Sequence, residues 1–166
     1  MKAIRHLATA LLITTVAVTA SYALSKGDKA PDFRLKTIDG KTVSLSTLRT
    51  GKKAILLDFW ATNCPPCVEE IPHLQKYYEQ FGKQGLVIVG ISGYRGDSIA
   101  DVKSFVKQKK LTYPIPYDAD KKVATQYALR YLPTMYLIDK NGVIRNVHIG
   151  YTEPEVLKSE IRALLK

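Results

Sequence analysis

This chain is poor in the residues that usually announce chemistry. Among 166 residues there are two cysteines, one tryptophan, two methionines and three histidines. Two cysteines rule out a scaffold stapled by several disulfides, and a chain of this length buries an adequate core without them. A structural zinc site needs four ligands. No second CxxC is present, and the two histidines outside the N-terminal segment, His73 and His148, stand 75 residues apart. Low-complexity tracts and internal repeats are missing, which excludes solenoids and disordered linkers and leaves one domain of ordinary globular composition. Acidic residues are also in short supply, 15 against 25 basic, for a net charge of +10. The basic residues fall as isolated pairs, Lys52-Lys53, Lys109-Lys110 and Lys121-Lys122, with no dense stripe. That pattern reads as a solvated surface with a mild attraction for anionic membranes or acidic partners, and no nucleic-acid face is expected.

Long apolar runs are scarce too. "MKAIRH" is a positive lead, followed by the 14-residue, threonine-diluted run "LATALLITTVAVTA" and then small residues. Residues 1–23 read as a secretory signal peptide, with Val18-Thr19-Ala20 or Ser21-Tyr22-Ala23 as cleavage triplets. The alternative is an uncleaved anchor, because Leu7 to Leu24 is just long enough for a thin bilayer. Lys2 and Arg5 are the only fixed charges removed by cleavage, so the processed chain keeps about +8. Both cysteines lie far downstream, leaving none for acylation. Export would put the chain in a periplasmic or otherwise extracytoplasmic compartment, where disulfides persist.

The remainder, residues 26–166, reads as one α/β domain. "GDKAPDFRLKTIDGKTVSLSTLR" predicts an extended lead, a hairpin turning at Asp39-Gly40 and a short helix opened by Ser46 or Thr47. "AILLDFWA" is apolar almost throughout, as a strand buried on both faces should be. Pro65 and Pro66 suit a first helical turn with Cys64 as cap. Val68, Ile71, Leu74, Tyr78 and Phe81 then recur at helical spacing as far as Gly82 and Gly85, with a kink expected at Pro72. "LVIVGIS" predicts a second buried strand. A helix from Asp97 or Ser98 to about Lys109 follows, then an extended "YPIPYD" and a short helix over about Lys122 to Leu129. "TMYLID", an Asn141-Gly142 turn and "VIRNVHIG" predict an antiparallel hairpin, and Leu157, Ile161 and Leu164 give the closing helix an apolar stripe. Crossovers followed by a hairpin imply a mixed sheet with helices on both faces.

The two cysteines, Cys64 and Cys67, sit together in "FWATNCPPCVEE". Haem attachment requires CxxCH, and Val68 occupies the histidine's place. A disulfide closing so short a loop restricts the unfolded chain very little, which argues against a static staple. A redox pair remains. A cysteine capping a helix meets the positive end of the helix dipole, which favours the thiolate that performs disulfide exchange. Cys64 is therefore read as the exposed nucleophile, and Cys67, one turn in, as the more buried resolving thiol.

"LLDFWATNCPPC" with "YLPTMYLID" far downstream resembles the thioredoxin superfamily. "GDKAPDF", "FWAT-CPPC", "EEIP" and an extra segment between residues 92 and 118 resemble its TlpA/ResA-like branch of exported thiol-disulfide oxidoreductases, many of which serve cytochrome c maturation. The resemblance covers roughly residues 26–166. It implies a thioredoxin-like three-layer sandwich with a mixed central sheet, an N-terminal hairpin extension and a central insertion. It also implies dithiol-disulfide exchange through Cys64 and Cys67 without a cofactor or metal. The partners would be client proteins with disulfides and a membrane or periplasmic thiol electron donor.

Residue roles follow from the same resemblance. Pro133 matches the family's cis-proline, which lies against the cysteines and, with Leu132 and Thr134, shapes the substrate groove. Asp58, six residues before Cys64, matches the buried acid that takes the proton of the second thiol. An unpaired acid in an apolar strand is in any case expected to have a raised pKa. Glu70, three after Cys67, matches an acidic residue near the site in ResA-like proteins; the alternative is a first-turn acid facing the helix dipole. Asn63 stands where most of the branch carries tryptophan, so a substrate platform is altered, while Trp60 is read as packing beneath the site. Pro65 and Pro66 offer no N–H to the Cys64 sulfur, which favours a net reductant; an oxidant or isomerase is the alternative. A peroxiredoxin-like thiol peroxidase is a further one, since "APDF" opens that family as well. Its PxxxTxxC arrangement is missing, with Ala61 where the threonine belongs and Thr62 one place off.

Overall fold

The computed structural model describes residues 23–166. The expected signal or anchor thus lies outside the described residues save for Ala23, and among the described residues no helix is long and apolar enough to cross a membrane. In chain order the elements are β1 (Arg34–Lys36), β2 (Thr42–Ser44), α1 (Leu45–Arg49), β3 (Ala54–Phe59), α2 (Pro65–Phe81), β4 (Leu86–Ile91), α3 (Ile99–Lys109), α4 (Lys122–Gln126), β5 (Thr134–Asp139), β6 (Ile144–Ile149) and α5 (Pro154–Leu165). A single 3-10 turn, Gly82–Gln84, follows α2.

The central sheet has the order β4-β3-β5-β6, with β3 parallel to β4 and the other neighbours antiparallel. Every residue of β3, β4 and β5 is buried, as their mostly apolar sequences lead one to expect, Asp58 of β3 included. Two cores result, one on each face. Leu56 and Trp60 pack with Ile71 and Leu74 of α2, Val102 of α3, and Leu157 and Ile161 of α5. Ile55, Leu57 and Phe59 pack with Phe33, Leu45 of α1, and Val123 and Ala124 of α4. The result is the thioredoxin-like sandwich, with the β1–β2 hairpin as a separate two-stranded sheet.

Two local expectations shift. The first short helix is capped by Ser44 in place of Ser46 or Thr47, because a capping box joins Ser44 and Thr47. Helix α4 stops at Gln126 instead of Leu129, since Ala128 takes a left-handed φ of 48°. The "YPIPYD" segment is extended as expected, with Pro116 bridged to Thr37 and Tyr117 to Ser92, and the Pro114 and Pro116 carbonyls accepting the Gly90 and Ser92 N–H groups. One further shift affects the site. The inward stripe of α2 is Cys67, Glu70, Ile71, Leu74, Tyr77 and Phe81, so Tyr77 takes the core place expected of Tyr78 and Glu70 is carried inside. Tyr77 fits there because its hydroxyl donates to the Pro154 carbonyl at 2.7 Å.

Candidate active site

Three loops converge where β3 ends. Phe59 is in register with Thr134, the first residue of β5, and with Ile91, the last of β4. The cysteine loop leaves β3 there, the Pro133 loop enters β5 there, and the loop after β4 departs beside them. The crevice outside the carboxyl end of a central strand is where α/β sheets place ligands. The Leu132–Pro133 peptide is cis. Its loop is tied on both sides: Thr134 Oγ1 donates to the Tyr131 carbonyl at 2.8 Å, and the Gly150 N–H donates to the Pro133 carbonyl at 2.9 Å.

Cys64 caps α2 with an extended backbone, and Pro65 and Pro66 fill the first two helical positions. Cys64 and Cys67 are joined by a disulfide with their Cα atoms 5.3 Å apart. The expected contrast in exposure is corrected: Cys64 is 2% exposed and Cys67 1%. In the disulfide form both cysteines belong to the buried cluster that includes Trp60, Ala61 and Ile71, and the helix turn alone does not lift Cys64 into solvent. Asn63 and Pro65 form the exposed lip beside it.

Two buried carboxyls lie on the α2 face. Asp58 sits opposite Gly90 and Met135 in the sheet, and its Oδ1 has no hydrogen-bond partner. Burial pushes its pKa well above the usual carboxylate range, and the charge of Glu70 adds to the effect. Glu70 is buried as well, which removes the surface-acid alternative for it. Its Oε1 accepts the Thr152 N–H at 2.6 Å while Oε2 is unpartnered. Burial raises its pKa to about 7, opposed in part by the Thr152 bond. Trp60 is fully buried and packs on Phe105 with ring centroids 5.2 Å apart, yet its Nε1 finds no acceptor. Gly90 makes room for that ring: a Cβ there would stand 2.8 Å from Trp60 Nε1 and 3.0 Å from Tyr113 Cε2. The Tyr113 hydroxyl is a fourth buried group without a partner.

The sequence reading missed Thr152, Tyr113 and Asp97. Thr152 meets Glu70 across 82 residues of chain, a pairing that no local pattern signals. Tyr113 is buried, whereas Tyr131 is 66% exposed. Asp97 was noticed only as a helix opener, and the cap of α3 proves to be Ser98.

A buried CxxC disulfide at a helix cap, beside a cis-proline loop, defines a thiol-disulfide oxidoreductase of thioredoxin-like fold. The chain belongs to the AhpC/TSA family, which it matches over residues 26–147. It is 33% identical to the thiol-disulfide oxidoreductase ResA of Geobacillus thermodenitrificans, over 88% of this chain and 82% of that one. The crystal structure assigned as the thiol:disulfide interchange protein DsbE of Chlorobium tepidum superposes with a TM-score of 0.79 at 32% identity, covering 87% of this chain and all of that one. The peroxidoxin BcpB of Mycobacterium tuberculosis superposes at 0.72 with 25% identity, covering 86% and 96%.

Proposed function

We propose that the protein is an exported reductant of disulfides in client proteins. The carrying observation is the helix start at Cys64: the first two helical residues, Pro65 and Pro66, have no N–H to offer the sulfur. A thiolate with few donors is poorly stabilised, so the reduced pair gives up electrons readily. In this reading the Cys64 thiolate attacks a client disulfide, and one client sulfur leaves as thiolate. Cys67, its proton accepted by Asp58 with Glu70 assisting, then attacks Cys64 and releases the second client sulfur. The protein ends oxidised, and a membrane or periplasmic thiol donor restores it. Pro133, Leu132 and Thr134 line the groove, with Asn63, over buried Trp60, at its lip. The exposed Tyr131, Ile149 and Tyr151 flank the Pro133 loop and offer clients an apolar surface. The resemblance of its motifs to the TlpA/ResA-like branch favours a place among exported proteins that serve cytochrome c maturation.

Equilibration of the protein with redox buffers tests the direction. A potential near or below that of thioredoxin, about −270 mV, is expected; one near that of a strong oxidant, about −120 mV, overturns it. In the same preparation Cys67→Ala should trap mixed disulfides with clients, and Cys64→Ala should reduce exchange to background. Equal trapping by both variants would reverse the roles. Mass spectrometry of the exported protein should show a start near residues 21–26.

A thiol peroxidase is the second reading, favoured by the AhpC/TSA match and the peroxidoxin structure. Against it, Ala61 stands where the peroxidatic threonine belongs, and the neighbouring Thr62 hydroxyl is already donated to Asp97 at 2.6 Å. Rapid peroxide consumption by the reduced protein would decide for it.

A further inference from the structure

The carboxylate of Asp97, in the loop between β4 and α3, is engaged by the loop that carries Cys64. Thr62 donates to it twice, from its backbone N–H to Oδ2 at 3.0 Å and from its hydroxyl to Oδ1 at 2.6 Å. Ser92 Oγ donates to Oδ2 at 3.3 Å. The residue is 6% exposed, and its own carbonyl accepts the Tyr117 hydroxyl at 2.6 Å, so main chain and side chain are both fixed. Helix capping does not account for it, because Ser98 and Asp101 cap α3 between themselves. Nor does a salt bridge, since no cation pairs with it among the described residues.

The position of this clamp gives it a consequence for the cysteine. Donors and positive charge stabilise a thiolate, whereas a nearby carboxylate opposes it. Among residues 62–66, Thr62 has committed both its donors to Asp97 and the Cys64 N–H is donated to the Ala61 carbonyl at 3.3 Å, which leaves Asn63 as the one residue there with donors to spare. Pro65 and Pro66 have none to give. A buried negative charge is meanwhile bonded two residues upstream of the nucleophile.

We propose that Asp97 is a positioning residue for thiol-disulfide exchange, which fixes the Cys64 loop through Thr62 and keeps Cys64 a weakly stabilised thiolate. The central insertion between residues 92 and 118, which contains Asp97 and Tyr117, thereby sets the strength of the redox pair. The inference rests on exchange at Cys64 and Cys67. It is separable from the net direction, which the wild-type potential decides; the role of Asp97 is decided by the difference between variant and wild type.

The test is Asp97→Asn in the full processed domain, which keeps the shape and removes the charge. Two readouts are taken: the Cys64 thiol pKa from the pH dependence of alkylation in a Cys67→Ala background, and the equilibrium with glutathione in the two-cysteine protein. The thiol pKa should fall, and the equilibrium should move about tenfold toward the reduced protein, equivalent to about 30 mV for this two-electron couple. Thr62→Val removes one donor from the carboxylate while leaving its charge, so it should raise the thiol pKa. A variant of Asp97 that melts earlier with pKa and equilibrium unmoved would mean a purely structural clamp and overturn the proposal. If Asp97→Asn does not fold, Thr62→Val decides alone, and a thiol pKa that stays or falls there overturns it.

Discussion

Strand β3 divides the molecule into two interiors that obey different rules. Ile55, Leu57 and Phe59 face the α1–α4 side, and Leu56, Asp58 and Trp60 face the α2–α5 side. On the first side the buried tyrosine and aspartate side chains find partners, and Arg49 Nε of α1 is the one buried side-chain atom without a partner among the described residues there. The Tyr127 hydroxyl donates to the Pro31 carbonyl at 2.7 Å and that of Tyr136 to the Tyr127 carbonyl at 3.2 Å. The Asp118 carboxylate accepts the Val123 and Ala124 N–H groups at the start of α4. On the second side Asp58 Oδ1, Trp60 Nε1, Glu70 Oε2 and Tyr113 Oη are all buried without protein partners. Each such group costs about 1–3 kcal/mol, a cost that stability alone would not maintain. The satisfied face holds the sheet together, and the unsatisfied face keeps titratable groups beneath the disulfide.

The largest effect expected from this division is on the satisfied face. Phe59 is 1% exposed and packs between Tyr127 and Tyr136 at centroid distances of 5.3 and 6.1 Å. Phe59→Ala should cost about 3–5 kcal/mol in denaturant unfolding, the usual range for emptying an aromatic site, and leave the reduction potential of the folded protein where it was. A displaced potential would show that the two faces are not independent.

Much of this is legible in the sequence. The apolar runs of β3, β4 and β5, the hairpin turns at Gly40 and Gly142 and the cap at Cys64 are local signals, and each lies in the structure where the pattern put it. Asp58 was conspicuous because an acid in an apolar strand has no local explanation. The rest depended on contacts between distant segments. Glu70 stood between a site acid and a first-turn acid with the stripe of α2 expected along Val68 and Tyr78; a stripe through Cys67 and Tyr77 turns the helix enough to bury it. Thr62 and Asp97 meet across 35 residues, and Gly90 makes room for Trp60 and Tyr113 through a close approach that no pattern encodes.

A smaller effect, and a sharper test of the unsatisfied face, comes from Asp58→Asn. The folded-state pKa of Asp58 is raised, so the folded protein holds that proton more tightly than the unfolded chain and loses stability as pH rises and the group is forced to ionise. The amide cannot ionise, so above neutral pH the variant should be more stable than wild type by about 1–3 kcal/mol. It should also resolve mixed disulfides more slowly near neutral pH, with the deficit shrinking as hydroxide takes over. Stability that drops at every pH would place Asp58 among the satisfied, structural residues after all.

The last effect belongs to Glu70, and it separates the two carboxyls. Its pKa rises from 4.5 to about 7 on folding. The sign is that of a raised acid: its contribution to stability is fully present below about pH 4.5, where both states are protonated, and is lost as pH rises toward about 7. Glu70→Gln keeps the shape and can still accept the Thr152 N–H, but it removes the titration. The stability difference between variant and wild type, followed by urea unfolding at a series of pH values, should therefore grow in the variant's favour from pH 5 to pH 7 and then level off. The effect is only partial. Ionised Glu70 also raises the pKa of Asp58, so with a neutral side chain at position 70 Asp58 ionises at lower pH and some slope persists. The double variant with Asp58→Asn should remove that residual slope as well. Parallel curves for Glu70→Gln and wild type across this window would mean that Glu70 does not titrate there, leaving Asp58 as the one ionising group beneath the disulfide.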